Sequence, residues 1–338
     1  MKSPKYFKNN HTMNLGIEIL RMILCFWIIT YHFAGKINKS KYKILKTFYH
    51  VPTFMLISFY FSYSIFISKD IIKYKKRLER LLIPYIIYPL LFVLISFSFH
   101  SINIKQIIID LLIQYISGKK IFGLGILWFI HNLIIFGIFF KIIYFLFNKQ
   151  SLFILQIFFI ISYLLQYKGI NYKIFHQYPF YIRILSFIIE MMPIAITGLI
   201  LRNIDIFKII SNDKKKSIFF SIIAIFFIYN YNIFGEIKGF NYQGIKQNIA
   251  GICLFISFSL IPFYKFNNSI ILVIIKTITR YTGGIYYLQT FAYYVLSKFE
   301  YLNQKSFIKC LLIYIFGFLI SFVFTKIFRN NRLKYLFN

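Results

Sequence analysis

The chain has 338 residues, of which 59% are hydrophobic and 22% aromatic, and its mean hydropathy is +0.67. A soluble domain of this length cannot bury so much apolar surface, so the composition excludes a soluble enzyme and indicates a polytopic membrane protein. The formal net charge of +31 is typical of nucleic-acid-binding proteins, but the cations lie in short loops beside apolar segments. We therefore expect anionic lipid head groups as their partner and no nucleic acid.

Apolar segments follow one another from residue 13 to residue 328, so we expect no appended soluble domain. Ten of them approach the roughly 20 residues that a helix needs to cross a bilayer. The first is too long for a signal peptide and lacks a small-residue cleavage site, so we expect it to remain as a helix. The predicted fold class is all-α, a polytopic transmembrane helix bundle in which residues 1–338 form a single integral-membrane domain. The predicted spans are residues 13–33, 48–68, 81–100, 126–147, 150–167, 183–202, 217–234, 248–264, 282–299 and 308–328.

Two further segments, residues 103–117 and 268–280, are apolar but too short to cross a bilayer. The first also contains the polar residues Asp110 and Gln114. We predict that both segments are short interfacial helices.

The distribution of Lys and Arg predicts the orientation of the bundle. Ten spans place both termini on the same side, and the loops on that side hold more Lys and Arg than the opposite loops. The strongest basic segments on that side are residues 69–80 and 208–216. By the positive-inside rule we expect a multi-pass membrane protein with both termini in the cytoplasm.

The first span contains Glu18, Arg21 and His32 in a stretch that is otherwise apolar. Ionisable groups are costly in hydrocarbon and usually face a bundle interior or a wet cavity. Arg21 and His32 are eleven residues apart, which places them within about 20° of the same helix face and roughly 16 Å apart along the axis. Glu18 precedes Arg21 by three residues and can pair with it. The alternative is that this pair only neutralises itself while His32 caps the helix at the interface.

A second basic segment precedes the third span and contains Arg77 and Arg80, which face the same way because they are three residues apart. Arginine forks fit phosphate oxygens, and the N–H groups at the start of a helix also favour an anion. The alternative is that these cations only anchor the topology, and we favour that interpretation for the neighbouring lysines.

These motifs, in this order, resemble those of the acyltransferase 3 family of membrane acyltransferases. That family has an Arg and a His separated by ten residues in the first helix, as Arg21 and His32 are here. It also has an Arg-x-x-Arg motif at the start of the third helix, which Arg77 and Arg80 match, with a matching LLIPY after them. Further matches are HVPTFMLISFYF (residues 50–61), LWFI (127–130) and GIYYLQ (284–289). The resemblance covers most of the chain.

Two positions depart from the family pattern: Phe59 stands where the family usually has Gly, and Gln289 stands where it commonly has His. The first- and third-helix motifs are intact, so these departures bear on the acceptor more than on the basic chemistry. The resemblance implies transfer of an acyl group, usually acetyl from acetyl-CoA, to a hydroxyl or amino group of a carbohydrate or related acceptor. Acetyl-CoA is therefore the expected donor substrate, and a succinyl donor remains open.

Within this chemistry, His32 is the expected general base and Arg21 the second catalytic residue. A neutral imidazole, with an ordinary pKa of about 6.5, is available at cellular pH, whereas a guanidinium cannot deprotonate. Arg21 is expected to hold a phosphate or carbonyl of the donor, or to orient His32 through another group. Arg77 and Arg80 are expected to bind the CoA phosphates, so that the pantetheine arm bridges the roughly 16 Å along the first span.

Three charged or titratable residues are candidate substrate contacts. Glu18 lies beside Arg21 in the first span. Glu190, inside the sixth span, either orients a substrate sugar or pairs with a cation as part of the scaffold, and we favour the scaffold. His50, at the start of the second span, can neighbour His32 and either contacts the substrate or packs at the interface.

Trp128, Tyr286 and Gln289 complete the candidate substrate contacts. The two aromatic rings can stack on a sugar or on adenine, although aromatic packing is the simpler interpretation in a chain so rich in aromatic residues. Gln289 occupies the position of the family's His. The sequence has no Cys/His cluster or acidic run of the kind that binds a metal, so we expect no metal cofactor.

The main functional hypothesis is therefore a bacterial plasma-membrane O-acyltransferase that modifies a surface polysaccharide or its lipid-linked precursor. The alternative is a multispan transporter or exporter of glycan or glycolipid, which predicts internal repeats and paired broken helices. No repeat is visible, and Gly283 with Gly284 marks one break without a counterpart. A non-catalytic assembly subunit is the third hypothesis. Expected partners are membrane lipid, a carbohydrate acceptor, and either glycan-synthesis proteins or a second copy in a homodimer.

Overall fold

The computed structural model describes residues 15–33, 50–97, 104–117, 127–167, 180–204, 214–233, 245–260, 270–299 and 306–337. Within these ranges the chain forms α-helices and short 3₁₀ helices and no strand, so the all-α prediction is confirmed. The α-helices are α1 (Leu15–Phe33), α2 (His50–Ile67), α3 (Ile71–Phe97), α4 (Ile104–Ser117), α5 (Leu127–Phe147), α6 (Ser151–Tyr167), α7 (Phe180–Asn203), α8 (Lys214–Ile233), α9 (Ile245–Leu260), α10 (Ile270–Arg280), α11 (Thr282–Ser297) and α12 (Ser306–Ile327). The 3₁₀ helices are Asn148–Gln150 and Arg332–Leu336.

Each of the ten predicted spans coincides with a helix, and so do both predicted interfacial segments, which are α4 and α10. By length and composition, four of the described helices can cross a membrane: α1, α2, α5 and the stretch Phe307–Ile327 of α12. Two shorter apolar stretches are Ser151–Leu165 and Asn248–Leu260. The total of ten crossings and the interfacial placement of α4 and α10 stay predictions.

The basic segment before the third span is helical, whereas the sequence pattern suggested a loop. Helix α3 begins at Ile71, ten residues before the predicted span, and continues through Pro84 and Pro89. Asp70 caps its start, because the carboxylate accepts hydrogen bonds from the backbone N–H groups of Ile72 and Lys73 at 3.0 and 3.2 Å. The N–H of Lys73 also lowers the pKa of the Asp70 carboxyl. The side chains of this segment therefore project from a regular helix.

Helix α2 is the centre of the bundle and contacts α1, α3, α5, α7 and α9. It is apolar on all sides, as expected of a helix that is enclosed by others. Its large, fully buried hydrophobic side chains are Met55, Leu56, Phe59, Tyr60 and Phe66.

Glycines allow two neighbouring helices to approach the backbone of α2. A Cβ atom on Gly198 of α7 would lie 2.6 Å from the carbonyl oxygen of Leu56, and one on Gly251 of α9 would lie 2.9 Å from Oγ1 of Thr53. Both distances are shorter than a real Cβ atom tolerates. The close packing of α7 and α9 on α2 therefore requires glycine, which has no side chain, at these two positions.

We predict that Gly198→Ala destabilises the protein, because the added methyl group overlaps the α2 backbone and must push α7 away. Overpacking of this kind costs roughly 1–3 kcal/mol. The measurement is the melting temperature of the purified protein in detergent. Gly317→Ala is the matched control, since its Cβ would meet its nearest neighbour, Cα of Ile285, at an ordinary 3.4 Å. Equal melting temperatures for the two variants would contradict the prediction.

Candidate active site

A cavity of about 640 Å³ lies between α1, α2, α3, α5 and α11. Along α2 its wall runs from Val51 to Ile65, fourteen positions of helix that correspond to roughly 21 Å. One end, which we call the cationic end, is formed by Lys73, Lys76, Arg77 and Arg80 of α3. The other end, which we call the far end, is formed by Val51 of α2 and Ile28 of α1. The volume lies within the range of small-molecule and cofactor sites.

The charge of the cavity wall is strongly positive. Arg21 adds a fifth cation to those of the cationic end, and Glu18 is the one acidic residue among the described residues of the wall. Between the ends the wall is mainly apolar, with Phe54, Ile57 and Leu133. Low-dielectric walls focus the field of the cations, so the cavity favours an anionic ligand.

Arg21 is held between α1 and α11 by two hydrogen bonds. Its Nη1 donates to Oε2 of Glu18 at 2.9 Å, and its Nη2 donates to Oγ1 of Thr282 at 3.1 Å. The Thr282 hydroxyl in turn donates to the carbonyl oxygen of Thr279 at 2.9 Å, across the break between α10 and α11. The Glu18–Arg21 pair suggested by the sequence is present, and both of its members line the cavity.

Arg77 is held by two serines of α2. Its Nε donates to Oγ of Ser62 at 2.7 Å, and its Nη2 donates to Oγ of Ser58 at 3.4 Å. Its guanidinium carbon also lies 5.7 Å from the ring centre of Phe59 and 5.3 Å from that of Phe66. A guanidinium has five N–H donors, so the serines fix this one and leave other donors for a ligand in the cavity.

Phe59, which replaces the family's usual Gly, belongs to the aromatic core beside Arg77. It is fully buried, and its ring centre lies 6.0 Å from Phe66, 6.0 Å from Phe136 and 5.1 Å from Phe140. It is not part of the cavity wall. The substitution therefore changes the packing behind Arg77, and the cavity surface is formed by other residues.

Arg80 lies at the exposed edge of the cationic end. Its guanidinium carbon is 5.6 Å from the ring centre of Tyr335, in the 3₁₀ helix that follows α12. Arg77 and Arg80 both line the cavity, as their spacing of three residues suggested.

The two candidate histidines lie at the end of the bundle beyond the far end of the cavity. His32 is exposed in the last turn of α1, and its ring centre is 5.4 Å from that of Tyr31. The Tyr31 ring also lies 5.4 Å from the ring of His50, which is buried at the start of α2. Neither histidine is part of the cavity wall, which reaches Ile28, one turn before His32. The catalytic role of His32 and the substrate role of His50 stay predictions.

Of the three aromatic and amide candidates, one lines the cavity and two pack beside it. Tyr286 lines the cavity. Trp128 is half-buried, packs against the core and meets Phe129 edge to face at 6.2 Å. Phe129 is the ring of this pair that faces the cavity, 6.0 Å from Tyr286. Gln289 is fully buried one turn after Tyr286, and its Nε2 donates to the Tyr286 carbonyl oxygen at 2.9 Å.

Glu190 is half-buried on α7, and the described cavity wall does not include it. The neighbouring residues Met191, Ile194 and Ala195 are buried in the core. Both interpretations of Glu190, as part of the scaffold and as a substrate contact, stay predictions.

The sequence interpretation singled out none of Ser62, Phe129, Thr282 and Tyr287 as a site residue, although Phe129 and Tyr287 lie within the LWFI and GIYYLQ motifs. Ser58 and Ser62 are four residues apart in an apolar helix and therefore share a face, which is a signal for a shared polar partner. For Thr282 the sequence offers no signal, because its partner Arg21 is 261 residues away.

The comparisons with known proteins agree with the first- and third-helix motifs. A family model described as an acyltransferase domain, that of the acyltransferase 3 family, matches residues 14–326. The matched range includes every residue of the cavity wall. No curated protein and no solved structure matches the chain.

We predict that Ser62→Ala lowers the stability of the protein, because the Nε–H of Arg77 loses its acceptor. Hydrogen bonds to charged groups contribute roughly 1.5–3 kcal/mol. The measurement is the melting temperature, with Ser64→Ala, at an exposed position of the same helix, as the matched control. A double-mutant cycle with Arg77→Met isolates the pair. Additive effects of Ser62→Ala and Arg77→Met would show that the bond contributes nothing.

Proposed function

The chain belongs to the acyltransferase 3 family of membrane acyltransferases, and on that premise we propose that it moves an acetyl group from acetyl-CoA to a carbohydrate. The acceptor group is a hydroxyl of a cell-surface polysaccharide or of its lipid-linked precursor. The observation that carries the proposal is the cavity, which extends roughly 21 Å along α2, is cationic at one end and is mainly apolar between its ends.

The cationic end suits the phosphates of CoA. Its 3′-phosphate and pyrophosphate are strongly anionic, and arginine side chains bind phosphate oxygens in a bidentate geometry. Ser58 and Ser62 hold Arg77 in one orientation, so its remaining donors are preorganised for such a ligand. Lys73 and Lys76 add point charges at the same end.

The apolar middle of the cavity suits the pantetheine arm. An extended arm that runs from the cationic end along Ile57 and Phe54 carries its thioester toward Ile28 and Val51. Arg21 lies along this path, and its link to Glu18 and Thr282 fixes it there. In this position it can bind a carbonyl oxygen of the pantetheine arm by a charge-assisted hydrogen bond and so direct the thioester toward the far end.

In the proposed reaction the acceptor oxygen attacks the carbonyl carbon of the thioester and the carbon–sulfur bond breaks. His32 takes the proton of the acceptor hydroxyl and delivers it to the sulfur of CoA. His32 lies one turn beyond Ile28, so we place the acceptor at the far end of the cavity, beside the rings of Tyr31 and His50. With cytoplasmic termini, a cytoplasmic donor then serves an acceptor on the outer side of the membrane.

We predict that purified protein in lipid nanodiscs transfers label from radioactive acetyl-CoA to glycans of the host. His32→Ala should lower kcat by roughly 10²- to 10⁴-fold, the usual contribution of a general base. Arg77→Ala should mainly raise KM for acetyl-CoA, because it removes a phosphate contact.

Lys75→Ala is the matched control for Arg77→Ala, since Lys75 is exposed on the same helix outside the cavity wall. Each variant must elute like the unmodified protein in size-exclusion chromatography. Full activity of His32→Ala would remove His32 from the role of base. Movement of an unmodified glycan across proteoliposomes without label transfer would favour the exporter instead.

A further inference from the structure

The residues after α12 fold back onto the cationic end of the cavity. We call residues 329–337 the tail segment, and its 3₁₀ helix, Arg332–Leu336, is capped by Asn331, whose Oδ1 accepts from the N–H of Leu333 at 3.1 Å. The matched range of the family model ends at residue 326, so this segment lies beyond it.

Two side chains of the tail segment contact α3 beside the cavity. Nη1 of Arg332 lies 3.6 Å from Oε1 of Glu79, and the Tyr335 ring lies 5.6 Å from the guanidinium carbon of Arg80. Arg332 therefore neutralises a carboxylate that would otherwise oppose an anion at the cationic end. Among the described residues, Tyr335 is the partner found for the Arg80 guanidinium.

The backbone of the tail segment is fixed against α3 and α11. The hydroxyl of Tyr88 donates to the carbonyl oxygen of Leu336 at 2.6 Å, and the Tyr88 ring lies 5.3 Å from that of Tyr287 in the cavity wall. A Cβ atom on Gly284 would meet the carbonyl oxygen of Phe337 at 2.5 Å, so this approach requires a glycine. The segment is thus attached to two helices that form the cavity wall.

We propose that the tail segment is part of the donor site, with Tyr335 as a positioning residue for Arg80. This inference rests on the proposed function, in which the ligand of Arg80 is a phosphate of CoA. Two serines hold Arg77, whereas the exposed Arg80 side chain has many accessible rotamers. An aromatic face restricts that freedom and leaves the N–H donors at the edge of the guanidinium available for a phosphate.

The test is equilibrium binding of CoA by the purified full-length protein in nanodiscs. Tyr335→Leu should weaken binding roughly two- to fivefold, the size of a cation–π contact at a partly exposed site, whereas Tyr335→Phe should bind like the unmodified protein because the ring remains. Arg80→Ala should also weaken binding, and Tyr335→Leu should add nothing on that background. Tyr294→Leu, an exposed tyrosine at the other end of α11, is the matched control.

Three results separate the inference from the function on which it rests. Unchanged binding by Tyr335→Leu, or an equal loss on the Arg80→Ala background, would overturn the positioning role while leaving the donor intact. No binding of CoA by the unmodified protein would overturn the donor and the inference with it. If Tyr335→Leu fails to fold, limited proteolysis of the unmodified protein with trypsin tests the proposal instead. CoA should slow cleavage after Arg332 and Lys334, and an unchanged cleavage rate would overturn the proposal.

Discussion

The hydrogen bonds that hold two arginines inside an apolar bundle are the interactions on which the cavity depends. A guanidinium that is partly withdrawn from water needs acceptors, because its desolvation must be offset by partners of good geometry. Glu18 and Thr282 supply these partners for Arg21, and Ser58 with Ser62 supplies them for Arg77. Each arginine therefore links two helices, so the charged groups and the helix positions are determined together.

The aromatic core behind Arg77 gives that arrangement its rigidity. The rings of Phe59, Phe66, Phe136 and Phe140 pack within about 6 Å of one another. Glycines of α7 and α9 let two more helices pack closely against α2. Close packing of this kind resists displacement of α2 and therefore of the serines that orient Arg77.

Local patterns in the sequence predict the helices and the contacts within one helix. Long apolar segments identify the helices, and the spacing of three residues predicts both the Glu18–Arg21 pair and the common face of Arg77 with Arg80. The helical start of α3 depends on the cap from Asp70, a local signal that the high charge of the segment obscured.

Contacts between distant parts of the chain could not be predicted in the same way. The bond from Arg21 to Thr282 and the packing of the tail segment on α3 join residues that only the fold brings together. The same limit applies to Phe129: the LWFI motif directs attention to Trp128, but helix rotation decides which of two adjacent rings faces the cavity. Sequence spacing alone does not determine that rotation.

The length of the cavity has an evolutionary consequence. Arg77, which is bonded to Ser58 and Ser62, lies toward the cationic end, whereas Val51 lies at the far end, eleven positions of α2 or roughly 16 Å from Ser62. Under the proposed function, residues that recognise the common donor and residues that select the sugar are therefore separate sets. Mutations around Val51 and His50 can diversify the surface glycan that is modified, while the machinery for the shared metabolite is inherited unchanged.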